Sequence, residues 1–190
     1  MPMNLIHRKL CGSARWADKV EREVLPWALA DVPLGPKVLE LGPGFGATTR
    51  VLARRVPELT ILEIDERSAG LLERTFGPQV RVVHGDATRI PAETGSFDTV
   101  VAFTMLHHVP SRAAQDRLFA EALRVLRPGG TFAGSDGLAS AGFRLLHLRD
   151  IMVVVDPDEL PGRLATIGFE EVTIGRGAGS FRFRAKRPAP

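Results

Sequence analysis

The stretch "VLELGPGFGATTR", residues 38–50, sets Gly42, Gly44 and Gly46 at alternate positions directly behind a short apolar run. Glycine loses more conformational freedom on folding than any other residue, so three within five positions need a compensating reason. A ligand lying almost against the main chain supplies one. The run "KVLEL" (37–41) reads as a strand and 47–55 as a helix. The glycines therefore stand at the carboxyl end of a strand, where doubly wound sheets bind ligands.

The same alternation extends outward. "TILEI" (60–64), "VRVVH" (80–84) and "DTVVAFT" (98–104) are short, β-branched and nearly continuous in apolarity, which predicts strands buried on both faces. "GTFAGS" (130–135) is a weaker fifth run. Helical segments fall at 66–76, 111–126 and 157–167; Ser111 fits an N-cap of the 111–126 segment, and Pro128-Gly129-Gly130 closes that same helix. The chain ends in a hairpin near 170–174 and 181–186. β-α-β alternation of this kind predicts a doubly wound α/β sheet with helices on both faces. Before residue 37, "SARWADKVEREVLPWALA" repeats Trp16, Val20, Val24 and Trp27 at helical spacing. It predicts a helical cap over 1–36, packed on a domain spanning 37–190, with the walling of a substrate pocket as its alternative role.

The 190 residues are 44% hydrophobic and 25% charged, enough to bury a core. No apolar run approaches the roughly 18 residues of a membrane span. The N-terminal residues lack the apolar core of a signal peptide, and the lone Cys11 excludes an internal disulfide, so a cytoplasmic location is expected. The net charge is +3, and the tail "GRGAGSFRFRAKRP" holds five cations and no acid. A nucleic-acid patch would look like this. Alternation favours a terminal strand instead, with Phe181 and Phe183 inward and Arg182, Arg184 and Lys186 in water.

The glycine loop alone leaves two adenosine ligands open. Gly42-x-Gly44-x-x-Ala47 also satisfies the dinucleotide fingerprint, and Glu63 lies about 20 residues on, as ribose recognition requires. Further motifs separate the two. "VLELGPGFG" (38–46), "LEID" (62–65), "VVHGDAT" (82–88), "FDTVVAFTMLHHV" (97–109) and "RVLRPGG" (124–130) together resemble the class I S-adenosylmethionine-dependent methyltransferases, in particular the small-molecule branch related to ubiquinone and menaquinone methyltransferases. A dehydrogenase has no evident use for the last three, and with no tyrosine the chain cannot carry a Tyr-x-x-x-Lys acid.

The resemblance implies a single Rossmann-like domain of seven strands, the last antiparallel, with S-adenosylmethionine as cofactor. It implies ribose binding by Glu63 and adenine binding by Asp86 and the Ala87 N–H, with Ile64 on the ring face. Glu40 and the Phe103 backbone would lie at the methionine end, which Gly42, Gly44 and Gly46 would cradle. Asp65 is expected to cap the next helix, and a plain turn residue is the other reading of Asp86. His107 and His108 are the candidate proton acceptors; His7, His147, Asp136 and Asp150 are secondary ones. Met105, Leu106, Phe143, Leu145, Leu146, Ile151 and Met152 are expected to line a pocket for a small, fairly apolar acceptor, with no metal involved.

Part of the chain also looks like the ribosomal-RNA adenine dimethylases, but their Asn-x-Pro-aromatic motif is replaced here by Ala102-Phe103-Thr104-Met105. The alternatives are a methyltransferase acting on RNA or protein, a catalytically silent adenosine-ligand binder and, more remotely, an NAD(P)-dependent oxidoreductase.

Overall fold

The computed structural model describes residues 5–146 and 150–190. Its strands are β1 (Lys37–Leu41), β2 (Glu58–Glu63), β3 (Arg81–His84), β4 (Phe97–Phe103), β5 (Leu126–Gly137), β6 (Glu170–Arg176) and β7 (Ser180–Lys186). They form one sheet in the order β3-β2-β1-β4-β5-β7-β6. Every neighbouring pair is parallel except those of β7, which runs antiparallel to both β5 and β6. The chain starts at the centre, winds outward to β3, then crosses back to β4. That reversal opens a crevice at the carboxyl ends of β1 and β4.

Around the sheet lie α1 (Leu5–Cys11), α2 (Ala14–Lys19), α3 (Leu25–Ala28), α4 (Ala47–Leu52), α5 (Glu66–Phe76), α6 (Arg112–Val125), α7 (Ala141–Leu146) and α8 (Leu160–Ile167). Strand side chains alternate between two cores. Val38, Ile61, Val101 and Phe103 pack with Leu25, Leu52, Leu72 and Phe76 of α3, α4 and α5. Leu39, Leu41, Val100 and Ala102 pack with Leu118 and Phe119 of α6 and Leu164 of α8. The same alternation sends Glu40 and Glu63 to the α4 side. Among the described residues, no helix is long and apolar enough to cross a membrane.

Three local differences from the sequence reading have physical causes. The segment expected as one N-terminal helix widens at Val20–Val24 into a π turn, closed by the Leu25 N–H on the Val20 carbonyl. Pro26 accounts for it: proline has no N–H and its ring crowds the carbonyl four residues back, which a wider turn relieves. β5 begins at Leu126, ahead of the Pro-Gly-Gly stop, and accommodates those residues as a register shift against β4. Gly129, at φ +74°, makes the excursion possible.

The third difference concerns the terminal cations. Arg182 donates to the Trp27 carbonyl at 2.6 Å with its guanidinium 5.8 Å from the Trp27 ring, and Arg184 donates to the Asp31 carbonyl at 2.7 Å. The carbonyls at and beyond the end of α3 lack helical partners, so β7 satisfies them instead of leaving its arginines in water. Arg187 similarly reaches the Leu123 and Arg124 carbonyls at the end of α6, while Lys186 pairs with Glu171 and Arg176 with Asp158. All five tail cations therefore have partners within the chain.

Candidate active site

Gly42, Gly44 and Gly46 all take positive φ, at +62°, +56° and +78°. A Cβ on Gly42 would lie 3.0 Å from Met105, and one on Gly46 only 2.6 Å from the Phe76 ring. The last glycine thus clears α5, rather than easing the start of α4 against its own strand. Gly46→Ala is expected to cost about 2–4 kcal/mol in urea unfolding, combining left-handed backbone strain with overpacking. Gly44 differs: a Cβ there would meet nothing within 4 Å. Its backbone faces open space.

Glu63, almost fully buried, ends β2 beside this loop. Its carboxylate accepts from the Gly44 N–H at 3.4 Å and from the Asp65 N–H at 2.9 Å. Asp65 itself caps α5 by accepting from the Ser68 N–H at 2.8 Å, which holds its carboxyl below the usual range. Of the two neighbouring acids, Asp65 caps the helix as expected, while Glu63 turns to the loop.

Glu40 is 1% exposed and accepts hydroxyl protons from both Thr48 and Thr49, the latter at 2.7 Å. Burial pushes its carboxyl up to about 7 despite those two bonds, with the charge of Glu63 adding in the same direction. Between the ordinary carboxylate range and pH 7 the folded chain then holds a proton that the unfolded chain has lost, so stability falls as pH rises. The decline amounts to about 3 kcal/mol in all. Glu40→Gln should flatten it, as urea titrations at pH 4.5 and 7.5 can check.

Further along the crevice, Asp86 is exposed and accepts from the Thr88 N–H at 2.8 Å, closing a tight turn that holds the half-buried Ala87. Ile64 is 44% exposed, with its carbonyl 3.1 Å from His84 Nε2.

The two adjacent histidines part company. His107, 2% exposed, turns inward: its Nδ1 lies 2.5 Å from Asp136 Oδ1 and its backbone N–H donates to Oδ2 at 3.1 Å. Asp136, 1% exposed, also accepts from the Gly137 N–H at 2.6 Å. Phe143 meets the His107 ring edge-on at 5.0 Å. His108, with its ring centroid 4.1 Å from that of His107, instead borders a cavity of about 90 Å³. Gly42, Gly44, Thr48, Phe103 and Met105 line the same cavity.

The expected lining needs correction. Of the residues named for it, Met105 is there, but Leu106 is core, Leu145 is 72% exposed and Ile151 is 41% exposed. Neither Phe143 nor Met152 borders the cavity, and Asp136 is committed to His107. His147 and the side chains of His7 and Leu146 lie outside the described residues. The wall opposite the glycine loop comes from Cys11, Trp16, Val20 and Val24. The helical spacing of the last three is legible in the sequence, and walling a pocket was one of the two roles expected of the cap they belong to. Thr104 was missed. It directly follows β4 and takes φ +51°, a left-handed value costly for a β-branched residue. Its place just past a strand's carboxyl end was the available signal.

Residues 39–134 match the family model described as a methyltransferase domain. The chain belongs to the class I methyltransferase family. A probable S-adenosylmethionine-dependent methyltransferase of Mycolicibacterium smegmatis is 31% identical over 83% of this chain and 62% of its own length. The phthiotriol/phenolphthiotriol dimycocerosates methyltransferase of Mycobacterium leprae is 33% identical over 54% of this chain and 38% of its own. The chain thus spans less than two thirds of either curated relative. A solved structure of a Pyrococcus horikoshii protein shares the fold at a TM-score of 0.75 and 20% identity, covering 93% of both chains.

Proposed function

We propose that this chain binds S-adenosylmethionine along the carboxyl ends of β1, β2 and β3 and directs its methyl group, without a metal, to a small, fairly apolar acceptor. The observation that carries this reading is the pairing of Gly44 with Glu63. A main chain with nothing in front of it sits beside a buried carboxylate on the neighbouring strand. Those residues fit an adenosine ligand with an amino-acid end. Bound S-adenosylmethionine supplies an electrophilic methyl group on a sulfonium leaving group.

The chain's own groups then have distinct tasks. Glu63 accepts from the two ribose hydroxyls, since a carboxylate has two oxygens to offer. Asp86 accepts from the adenine amino group, the Ala87 N–H reaches a ring nitrogen, and exposed Ile64 covers the ring face. Gly42, Gly44, Gly46 and the Phe103 backbone border the methionine end. Glu40, fastened by Thr48 and Thr49, faces the ammonium, whose positive charge favours the ionised form of this buried carboxyl. His108 borders the cavity and takes a proton from an acceptor that must lose one, with His107 packed behind it.

A relative whose name gives phthiotriol and phenolphthiotriol dimycocerosates supports a small-molecule acceptor. An RNA acceptor reached through the basic tail finds little support, because those five cations are already partnered within the chain. A cytoplasmic setting fits the single cysteine.

Thermal unfolding tests the reading. S-adenosylhomocysteine at 100 times its dissociation constant should stabilise the chain by about 2.7 kcal/mol, while NADH and NADPH should not. A shift with a nicotinamide alone would overturn it.

A further inference from the structure

Six large apolar side chains stand substantially exposed among the described residues: Leu10, Phe45, Ile64, Leu71, Leu145 and Ile151. Scattered singly, such side chains would need no explanation. Five of these six gather at one end of the molecule, the end onto which the carboxyl termini of the parallel strands open. Leu71, midway along α5, is the exception. Ile64 is given to the adenine ring in the reading above. The other four have no such use.

Their neighbours fix where they lie. Leu10 directly precedes Cys11, and Phe45 follows Gly44; Cys11, Gly44 and Phe45 all border the cavity. A Cβ on Gly12 would lie 3.7 Å from the Phe45 ring, so the end of α1 adjoins the glycine loop. Leu145 belongs to α7, which starts just past the end of β5 and sets Phe143 against the His107 ring at 5.0 Å. Ile151 lies close before Val153, whose N–H donates to the His107 carbonyl at 2.8 Å. The four side chains therefore flank the cavity from two sides, one at the glycine loop and one beyond the histidine pair.

Charge accompanies them. The stretch "RKLCGSARW", residues 8–16, carries Arg8, Lys9 and Arg15 and no acid. All three cations are exposed, and none forms an ion pair with an acid among the described residues. The cations of the tail, by contrast, all have partners within the chain. Exposed Leu and Phe beside unpaired Arg and Lys match a lipid headgroup layer, where apolar groups reach the acyl boundary and cations meet phosphates. A second copy of the chain fits less well, because a two-fold contact would set these cations against themselves. With no membrane-spanning helix among the described residues, such a contact is peripheral.

We propose that this end of the molecule docks on an anionic lipid surface, with Leu10, Phe45, Leu145 and Ile151 at the headgroup–acyl boundary and Arg8, Lys9 and Arg15 on lipid phosphates. An apolar acceptor dissolved in that lipid then reaches the cavity without crossing water. That consequence rests on the methyl-transfer reading above; the docking itself does not.

Co-sedimentation of the full chain with sucrose-loaded vesicles tests the docking. At about 0.05 M salt, phosphatidylcholine vesicles with about 30% phosphatidylglycerol should bind at least about tenfold tighter than phosphatidylcholine alone. Raising the salt to about 0.5 M should remove most of that difference. Replacing Leu10 and Leu145 together by serine should weaken binding to the anionic vesicles about tenfold or more. Leu71→Ser, at a side chain as exposed as Leu10 but on α5, should leave it unchanged. Absence of sedimentation with the anionic vesicles would overturn the proposal. So would a loss in Leu71→Ser as large as in the double variant. A dimer in light scattering that the double variant dissolves, with no vesicle binding, would overturn it in favour of a second copy. Vesicle binding by a chain that S-adenosylhomocysteine fails to stabilise would uphold the docking and sink the methyl-transfer reading.

Discussion

Asp136→Ala is expected to destabilise the chain by about 3–5 kcal/mol, because it leaves three buried donors without their acceptor at about 1–3 kcal/mol each. For a chain of this size that is a fall of roughly 6–20 °C in Tm. The carboxylate is 1% exposed and accepts from three donors: the His107 ring, the His107 backbone N–H and the Gly137 N–H. Alanine would strand all three in a core where water does not replace the lost acceptor. Asp136→Asn keeps one oxygen and should cost clearly less. The loss should also loosen the cavity, because His108 rests 4.1 Å from the ring that Asp136 holds. Calorimetry of the two variants decides the matter. A change under about 1 kcal/mol for alanine would show that the pair contributes nothing beyond what water can replace.

Glu63→Ala should weaken S-adenosylhomocysteine binding by about a hundredfold or more. Hydrogen bonds to a charged group are worth about 1.5–3 kcal/mol each, and the proposed site puts two ribose hydroxyls on this carboxylate. The carboxylate also holds the Gly44 N–H at 3.4 Å, so its removal frees the glycine loop. Asp65→Ala is the matched control. It removes the α5 cap and about 1 kcal/mol of stability, with affinity unchanged. Titration calorimetry separates the two. A folded Glu63→Ala chain with wild-type affinity would move the ribose contact to Asp65 or elsewhere.

Much of the scaffold was legible because its signals are local. β1 begins and ends where "KVLEL" does, and α5 spans the expected 66–76. Ser111 and Asp65 cap the helices they were expected to cap, because a helix N-terminus needs an acceptor within three residues. The exceptional backbone of Gly42, Gly44 and Gly46 was written in their lack of a side chain. Less was legible where tertiary contact overrides the local pattern. Alternation gave Arg182 a solvent-facing position, yet Trp27, far away in the chain, draws it inward. Leu145, Leu146 and Ile151 look like pocket residues by hydrophobicity alone, while Leu145 and Ile151 stand largely exposed.

The strand-helix alternation, the conformation of the glycine loop and the capping of α5 by Asp65 were determined by the sequence itself. Each rests on residues within a few positions of one another, where side-chain period and backbone hydrogen-bond needs leave few choices. Tertiary structure alone decided that His107 turns to Asp136 while His108 turns to the cavity. It also decided that Cys11 and Trp16 face the glycine loop, and that the terminal arginines hold the N-terminal segment. Those pairings depend on strand order and on how helices lie across the sheet, so groups separated by tens of residues meet only once the whole core has closed.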